Sequence, residues 1–310
     1  MRTYPFGIMF HHLHDSYHVR GQGSISADQF ESILKHVGIG NILPAEDWLS
    51  GLLKNTLKPN QACVTFDDSL LCQYEIALPV LERYNMTAFW FVYTKVLTGE
   101  TEKLEIFRKF RSVFFQDFSD FHREFVRELA ESEYWPRVEK SLKELVPSNY
   151  LQEYSFYSDD DRRFRYLRDV VLNPQEYFQV MDLMITRYVP DVSAFCEGLW
   201  MKEKHIKSLH QNGHVIGLHS HTHLTDIAAM DKKGQHLEYS TNYQELLRLT
   251  CSGPRTVAHP VNSYNATSLE VLRELGIVAG FRDNDIKGFG SEYLELPRID
   301  HMTILKECVS

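Results

Sequence analysis

The run Ala62-Cys63-Val64-Thr65-Phe66-Asp67-Asp68 is a buried-strand sequence that ends abruptly in two carboxylates. A helix is expected through Tyr74 to Tyr84, and a second apolar run follows at Thr87 to Tyr93. Strand, helix, strand at this spacing is a βαβ unit, which implies a parallel sheet. The pattern extends in both directions. Upstream, Phe6 to Phe10 is a short strand candidate. Ser26-Ala27-Asp28-Gln29 then opens a helix with Phe30, Ile33, Leu34 and Val37 on one face and Gly38 as its stop. Downstream, a helix over Lys202 to Gln211 closes at Asn212-Gly213, and the strand His214 to Leu218 runs into His219-Ser220-His221-Thr222-His223. A helix over Tyr239 to Thr250, a strand at Thr256 to Ala258 before His259-Pro260, a helix over Ser268 to Leu275 and a strand at Ile277 to Phe281 follow. Leu294 to Ile299 then approaches Asp300-His301. Polar side chains keep appearing straight after apolar strands, where α/β barrels carry their sites.

The segment from about 100 to 197 breaks the alternation. It is dense in charge, and its aromatics Phe107, Phe110, Phe114, Phe118, Phe121 and Phe125 recur at helical spacing, as expected for a packing face. Asn173-Pro174 starts a further helix whose apolar face is Tyr177, Met181, Met184, Ile185 and Tyr188. The segment reads as a helical insertion within a single domain spanning 1–310. It is compatible with roofing a cleft, setting polymer length or pairing subunits into a dimer.

The chain has 310 residues, of which 43% are hydrophobic and 24% charged, enough for a sizeable core and too apolar for global disorder. Its formal charge of -9, without any Lys/Arg block, points away from nucleic acid. No window approaches the roughly 20 apolar residues of a membrane span, and the opening apolar stretch is too short for a secretory leader. Five scattered cysteines without a CxxC spacing point away from a disulfide framework or a cysteine zinc site. A cytoplasmic location is the expectation.

Chemistry concentrates at two places. His219 and His223, four apart, converge on one ion if the segment turns helically, and a solvated turn is the alternative. Asp67 and Asp68 are adjacent. They either cap a helix or diverge, so that one ligates a metal while the other faces the attacking water.

Together these segments resemble the polysaccharide deacetylase family, which includes chitooligosaccharide and peptidoglycan deacetylases. Val64-Thr65-Phe66-Asp67-Asp68 is similar to its first motif, and Asn212-Gly213-His214-Val215-Ile216-Gly217-Leu218-His219-Ser220-His221-Thr222-His223 to its second. Ile8-Met9-Phe10-His11 resembles its opening strand. Ala258-His259-Pro260-Val261-Asn262-Ser263-Tyr264-Asn265 resembles the Ala-Tyr-Pro-Phe-Gly type of third motif, and Leu296-Pro297-Arg298-Ile299 that branch's closing strand. The resemblance covers roughly 1–98 and 200–301, not the insertion.

It implies a distorted (β/α) barrel of about seven parallel strands and a divalent metal, Zn2+ before Co2+, Ni2+ or Fe2+, held by Asp68, His219 and His223. Asp67 is then the base, and His301, in Ile299-Asp300-His301, matches the late histidine that protonates the leaving amine. His259, Pro260, Asn262 and Tyr264 fall where the third motif meets substrate. Some positions depart from the family. Ser69 stands where a glycine is usual, constraining the turn. Ala258 replaces the arginine that orients the base in the main branch, leaving Arg298 as the candidate replacement. His221 is expected at the rim, and His11 either at the barrel mouth or in the core. The implied activity is removal of an N-acetyl or similar small acyl group from an amino sugar, with a cytoplasmic precursor of a surface polysaccharide as the expected substrate. A small non-sugar C–N amide, or non-catalytic sugar binding on the same fold, are the competing readings.

Overall fold

A computed structural model of the chain describes residues 2–152, 157–285 and 293–308. Two compact units emerge, Met1–Glu102 with Gly198–Ser310, and Lys103–Glu197.

The described residues of the first unit form one seven-stranded sheet from β1 (Phe6–Phe10), β2 (Ala62–Phe66), β3 (Phe89–Val92), β4 (Val215–Leu218), β5 (Thr256–Ala258), β6 (Ala279–Phe281) and β7 (Arg298–Asp300). Its order is β6-β5-β4-β3-β2-β1-β7, and every pairing is parallel. The edges approach each other. Phe281 at the end of β6 bridges in parallel to Leu296, just before β7, and Arg282 N–H donates to Leu296 O at 2.9 Å. A nearly closed, distorted (β/α) barrel results, as the family resemblance implied, and its strands are parallel, as the strand–helix alternation implied. Gly280 makes that closure possible, since a Cβ there would meet the Leu294 carbonyl oxygen at 2.6 Å.

The two faces of each strand serve different cores, as side-chain alternation requires. Ala62, Val64 and Phe66 of β2 and Trp90 and Val92 of β3 pack outward beneath the helices. Cys63, Phe89 and Phe91 face the other way, together with Phe281, Leu296 and Trp48 from the helix Ala45–Leu53. Trp48 lies 5.5 Å from Phe281 and 6.1 Å from Phe89, ring to ring. Asp67 continues the Cys63, Thr65 face by two more residues. A carboxylate is thereby delivered into the barrel without any special turn.

The helices start where their caps put them. Ser26 and Gln29 form the capping box of Ala27–Val37, and Asn265 with Ser268 that of Ala266–Glu274. The helix expected from Tyr239 begins earlier, at Lys232, because the Asp231 side chain accepts from Gly234 N–H. The stretch expected as one helix through Tyr74 to Tyr84 is a wide-turn segment, Gln73–Ala77, followed by an α-helix, Leu78–Arg83.

Among the described residues the second unit contains helices and no strand; its α-helices are Lys103–Phe114, Phe118–Ala130, Trp135–Glu144, Asp159–Tyr166, Pro174–Tyr188 and Val192–Cys196. The aromatic stripe is shared by two helices rather than one, because Asp117 accepts from Asp120 N–H and starts a new helix. Phe107, Phe110, Phe121 and Phe125 are buried, whereas Phe114 next to the break is 37% exposed. All five cysteines are free thiols. Among the described residues no helix is long and apolar enough to cross a membrane.

Candidate active site

The C-terminal ends of β1, β2 and β4 bring polar side chains to one region. Asp67 and Asp68 leave β2, and both Asp68 (φ 76°) and Ser69 (φ 57°) take the left-handed conformation. The serine thus adopts the turn that a glycine would adopt freely, at a cost of order 1 kcal/mol. Its hydroxyl donates to Tyr93 O, and its carbonyl accepts from Met201 N–H at 2.8 Å.

This turn aims the Asp68 carboxylate at the histidines beyond β4. Its Oδ1 lies 3.3 Å from His219 Nε2 and 3.2 Å from His223 Nε2. One ligand atom from each of the three residues lies within 4.8 Å of the others. His219 Nδ1 is 2.9 Å from Ala258 O. A ring nitrogen facing a carbonyl must carry the proton, so His219 Nε2 presents a lone pair to Asp68. Lone pair then faces carboxylate, and Asp68 Oδ1 is buried with no hydrogen bond. A cation between them resolves that conflict, so the donor set suits a divalent metal through two imidazoles and one carboxylate. Burial works against ionisation of Asp68, but positive charge on the facing imidazoles, His223 first and then His219, outweighs it when those rings are protonated and holds the carboxyl well below the usual range.

Asp67 is arranged differently. Its Oδ1 accepts from Arg298 Nη1 at 2.7 Å, and both side chains are almost wholly buried. Arg298 also donates from Nε to Arg282 O at 2.5 Å, and its guanidinium lies 5.8 Å from the Phe91 ring. The arginine passes over β1 because Gly7 has no side chain; a Cβ there would come within 3.0 Å of the Arg298 stem. Burial would raise the Asp67 pKa, yet the Arg298 guanidinium holds it below the ordinary value. Asp67 Oδ2 faces His11 Nε2 at 3.7 Å, and His11 Nε2 also lies 4.0 Å from Asp68 Oδ2. His11 is part-exposed, so it sits at the mouth rather than in the core.

Other expected residues fall elsewhere. His301 is buried and stacked on Phe10, with Nδ1 3.1 Å from Met9 O and Nε2 2.9 Å from Gly23 O. Both ring nitrogens face backbone carbonyls, of which a neutral ring donates to one, and burial lowers the ring's pKa; a buried ring so placed suits a prop for the β1 end. His259 is also a correction. It is 1% exposed, its Nε2 donates to Leu294 O at 2.8 Å, and burial pushes its pKa down to about 4. The neutral ring supports the segment that closes the barrel and offers no face to a substrate. Pro260 is buried too. Tyr264 stacks on His259 and donates its hydroxyl to Glu295 at 2.8 Å. Asn262, like the exposed Val261 before it, is left-handed, with φ 58° and 43°. His221 turns toward Thr94 Oγ1 at 2.9 Å, outside the ligand set. His214 accepts from Ala88 N–H and Trp90 Nε1–H, and burial lowers its pKa to about 4; it is a neutral core residue.

Three residues not singled out from the sequence hold this arrangement. Asn242 Oδ1 accepts from His219 N–H at 3.0 Å, and its Nδ2 donates to Val92 O and Thr94 Oγ1. Glu238 accepts from the N–H groups of His221 and Thr222. Gln73 Nε2 donates to His11 O and Asp67 O. Asn242 had a legible signal: a polar residue in register with buried Tyr239, Leu246 and Leu249 on one helix.

Comparison with known proteins agrees with the motif resemblance. Residues 170–280 match the family model described as polysaccharide deacetylase. That match contains His219 and His223 but not the first-motif Asp67 and Asp68, which only the fold joins to it. No curated protein sequence matches the chain. The fold is similar to that of the Streptococcus pyogenes deacetylase PplD, solved in complex with acetate (15% identity, 97% of this chain and 93% of that one, TM-score 0.56). It is similar also to a de-N-acetylase from Aggregatibacter actinomycetemcomitans (12% identity, 98% and 99%, TM-score 0.57) and to IcaB from Ammonifex degensii (15% identity, 99% and 97%, TM-score 0.53).

Proposed function

We propose that this protein is a metal-dependent hydrolase that removes an N-acetyl or similar small acyl group from an amino sugar. The observation carrying this reading is that two adjacent carboxylates are differentiated by their surroundings. Asp68 faces two imidazoles as a ligand, and Asp67 faces an arginine as a base. A divalent cation, Zn2+ by preference although N/O ligation does not select sharply, supplies Lewis acidity toward the acyl oxygen and toward water.

Asp68, His219 and His223 hold the ion. Asp67 takes a proton from the attacking water. Arg298 keeps Asp67 ionised and aimed, the role left open by Ala258. The amine leaving from the broken C–N bond needs a proton, and His11 is the better donor than His301. Its Nε2 faces both carboxylates and is within reach of solvent, whereas His301 is buried with each ring nitrogen facing a backbone carbonyl. The amine and a carboxylic acid are the products.

Among amino sugars, we carry forward a nucleotide- or lipid-linked precursor as the substrate, met in the cytoplasm. Finished polysaccharide is the competing substrate, given the family model. Metal analysis combined with acetate release from N-acetylglucosamine oligomers and from nucleotide-linked N-acetylglucosamine tests the reading. Metal-dependent acetate release from either supports the hydrolase. Release only from oligomers overturns the precursor assignment, and release from neither despite bound metal overturns the activity in favour of sugar binding.

A further inference from the structure

We infer that the helical unit Lys103–Glu197 carries a phosphoryl-binding site built from Arg111 and Arg165, with Arg108 and Arg168 beside them. Two stretches each carry arginines three apart: Arg108 and Arg111 on the helix Lys103–Phe114, and Arg165 on the helix Asp159–Tyr166 with Arg168 on the wide-turn segment Leu167–Val171 that continues it. That spacing places each pair on one helix face. Arg111 and Arg168 both lie over the Phe164 ring, at 5.6 and 5.8 Å.

Most arginines of this unit have an acidic partner. Arg168 pairs with Asp169, Arg163 with Asp160, Arg187 with Glu128 and Arg137 with Glu176. Among the described residues Arg111 and Arg165 make no ion pair, although Asp161 and Asp169 act on Arg165 from a longer distance. Among the described residues Arg111 makes no hydrogen bond or ion pair. It is surrounded by the rings of Phe118, Phe121 and Phe164 at 5.7, 5.5 and 5.6 Å. Arg165 stacks on Tyr157 at 4.1 Å, and its Nε is buried with no hydrogen-bond partner.

Burial, only partly offset by Tyr177 and reinforced by Arg108, Arg165 and Arg168, brings the Arg111 pKa down to about 10. Burial likewise lowers that of Arg165. Guanidiniums that make no ion pair, partly withdrawn from water and acting on one another, form an arrangement that an anionic ligand completes, even though Asp161 and Asp169 offset part of the charge at Arg165. Aromatic faces supply part of the compensation but leave the guanidinium N–H groups unused. Both side chains remain partly accessible, so a ligand can reach them. A single carboxylate carries one charge and two oxygens against two unpaired guanidiniums. A phosphate monoester or diphosphate, with about two negative charges and three terminal oxygens, matches them better. The source is either a soluble phosphorylated compound or a phospholipid headgroup.

Titration of the full-length protein with inorganic pyrophosphate by calorimetry, at constant ionic strength, tests this. The expected result is saturable binding that weakens about 10- to 100-fold in Arg111→Met and in Arg165→Gln, the loss expected for one charge-assisted hydrogen-bonding group. Arg165→Gln decides the matter if Arg111→Met unfolds, since Arg165 is not enclosed by the phenylalanine cluster. Cosedimentation with phosphatidic acid vesicles, in the presence and absence of pyrophosphate, distinguishes the sources. Vesicle binding that pyrophosphate displaces identifies a headgroup, and pyrophosphate binding without vesicle binding identifies a soluble ligand. Absence of both, or binding equally strong in both variants (pyrophosphate held at the metal-ligand cluster would behave so), overturns the inference.

Discussion

Arg298 Nη1 and Asp67 Oδ1 lie 2.7 Å apart with both side chains buried, joining residues 231 positions apart in the chain. If Asp67 is the base, as proposed, a guanidinium arriving from β7 keeps it charged in a barrel that has Ala258 at the end of β5.

Breaking the pair has a defined pH consequence. The Asp67 pKa is held low in the native state, so its contribution to stability is complete above the ordinary Asp value of about 3.9 and is lost as pH falls through the native value. In Arg298→Met the carboxyl is buried without its cation, and its pKa rises. The acid limb of kcat/KM should then move to higher pH, and stability near neutrality should fall by about 3–5 kcal/mol. Arg298→Lys should restore part of both. A pH–rate profile of Arg298→Met superimposable on the wild type removes Arg298 from its assigned role.

Asp67→Asn separates the two carboxylates. Metal content should be retained while turnover falls by several orders of magnitude, as expected when the base alone is removed. Loss of metal on elemental analysis would mean that the ligand and base roles are exchanged.

His219→Ala should lower metal affinity steeply, because three protein ligands leave no redundancy. His221→Ala, whose ring faces Thr94, should leave metal content unchanged. The opposite pattern would identify His221 as a ligand.

Asn242→Ala removes the acceptor for the His219 N–H and the donor to Val92 O. About 1–3 kcal/mol of stability should be lost, and metal affinity should fall about 10-fold or more through misplacement of His219. Thermal melts of the apo and metal-loaded protein separate these effects, since a purely structural residue would shift both melts equally.

His11 and His301 are distinguished by kinetics. His11→Ala should reduce kcat by about 10²–10⁴. His301→Gln should lower Tm through loss of its backbone contacts and leave kcat within a few-fold. The reverse result would return the acid role to His301.

Much of the barrel could be read residue by residue. β1, β2 and β5 coincide with the expected runs, because a strand buried on both faces is a short continuous apolar segment and its ends are polar. The boundaries that moved, at Lys232 and at Asp117, did so because a single aspartate cap outweighs apolar periodicity at a helix start. His301 matched its motif in spacing, yet spacing carries no information about which carbonyls surround a ring. His259 looked like a substrate contact for the same reason.

Local chemistry therefore determined the strand–helix alternation, the helical character of residues 103–197 and the four side chains Asp67, Asp68, His219 and His223 as a candidate set. Those follow from periodicity, caps and motif spacing, which are properties of neighbours in the chain. Only the tertiary structure decided that Arg298 faces Asp67, that His11 rather than His301 stands beside the carboxylates, and that Asn242 anchors His219. Each depends on how a sheet of seven strands curls, and the near-closure between β6 and Leu296 brings distant strand ends within hydrogen-bonding reach.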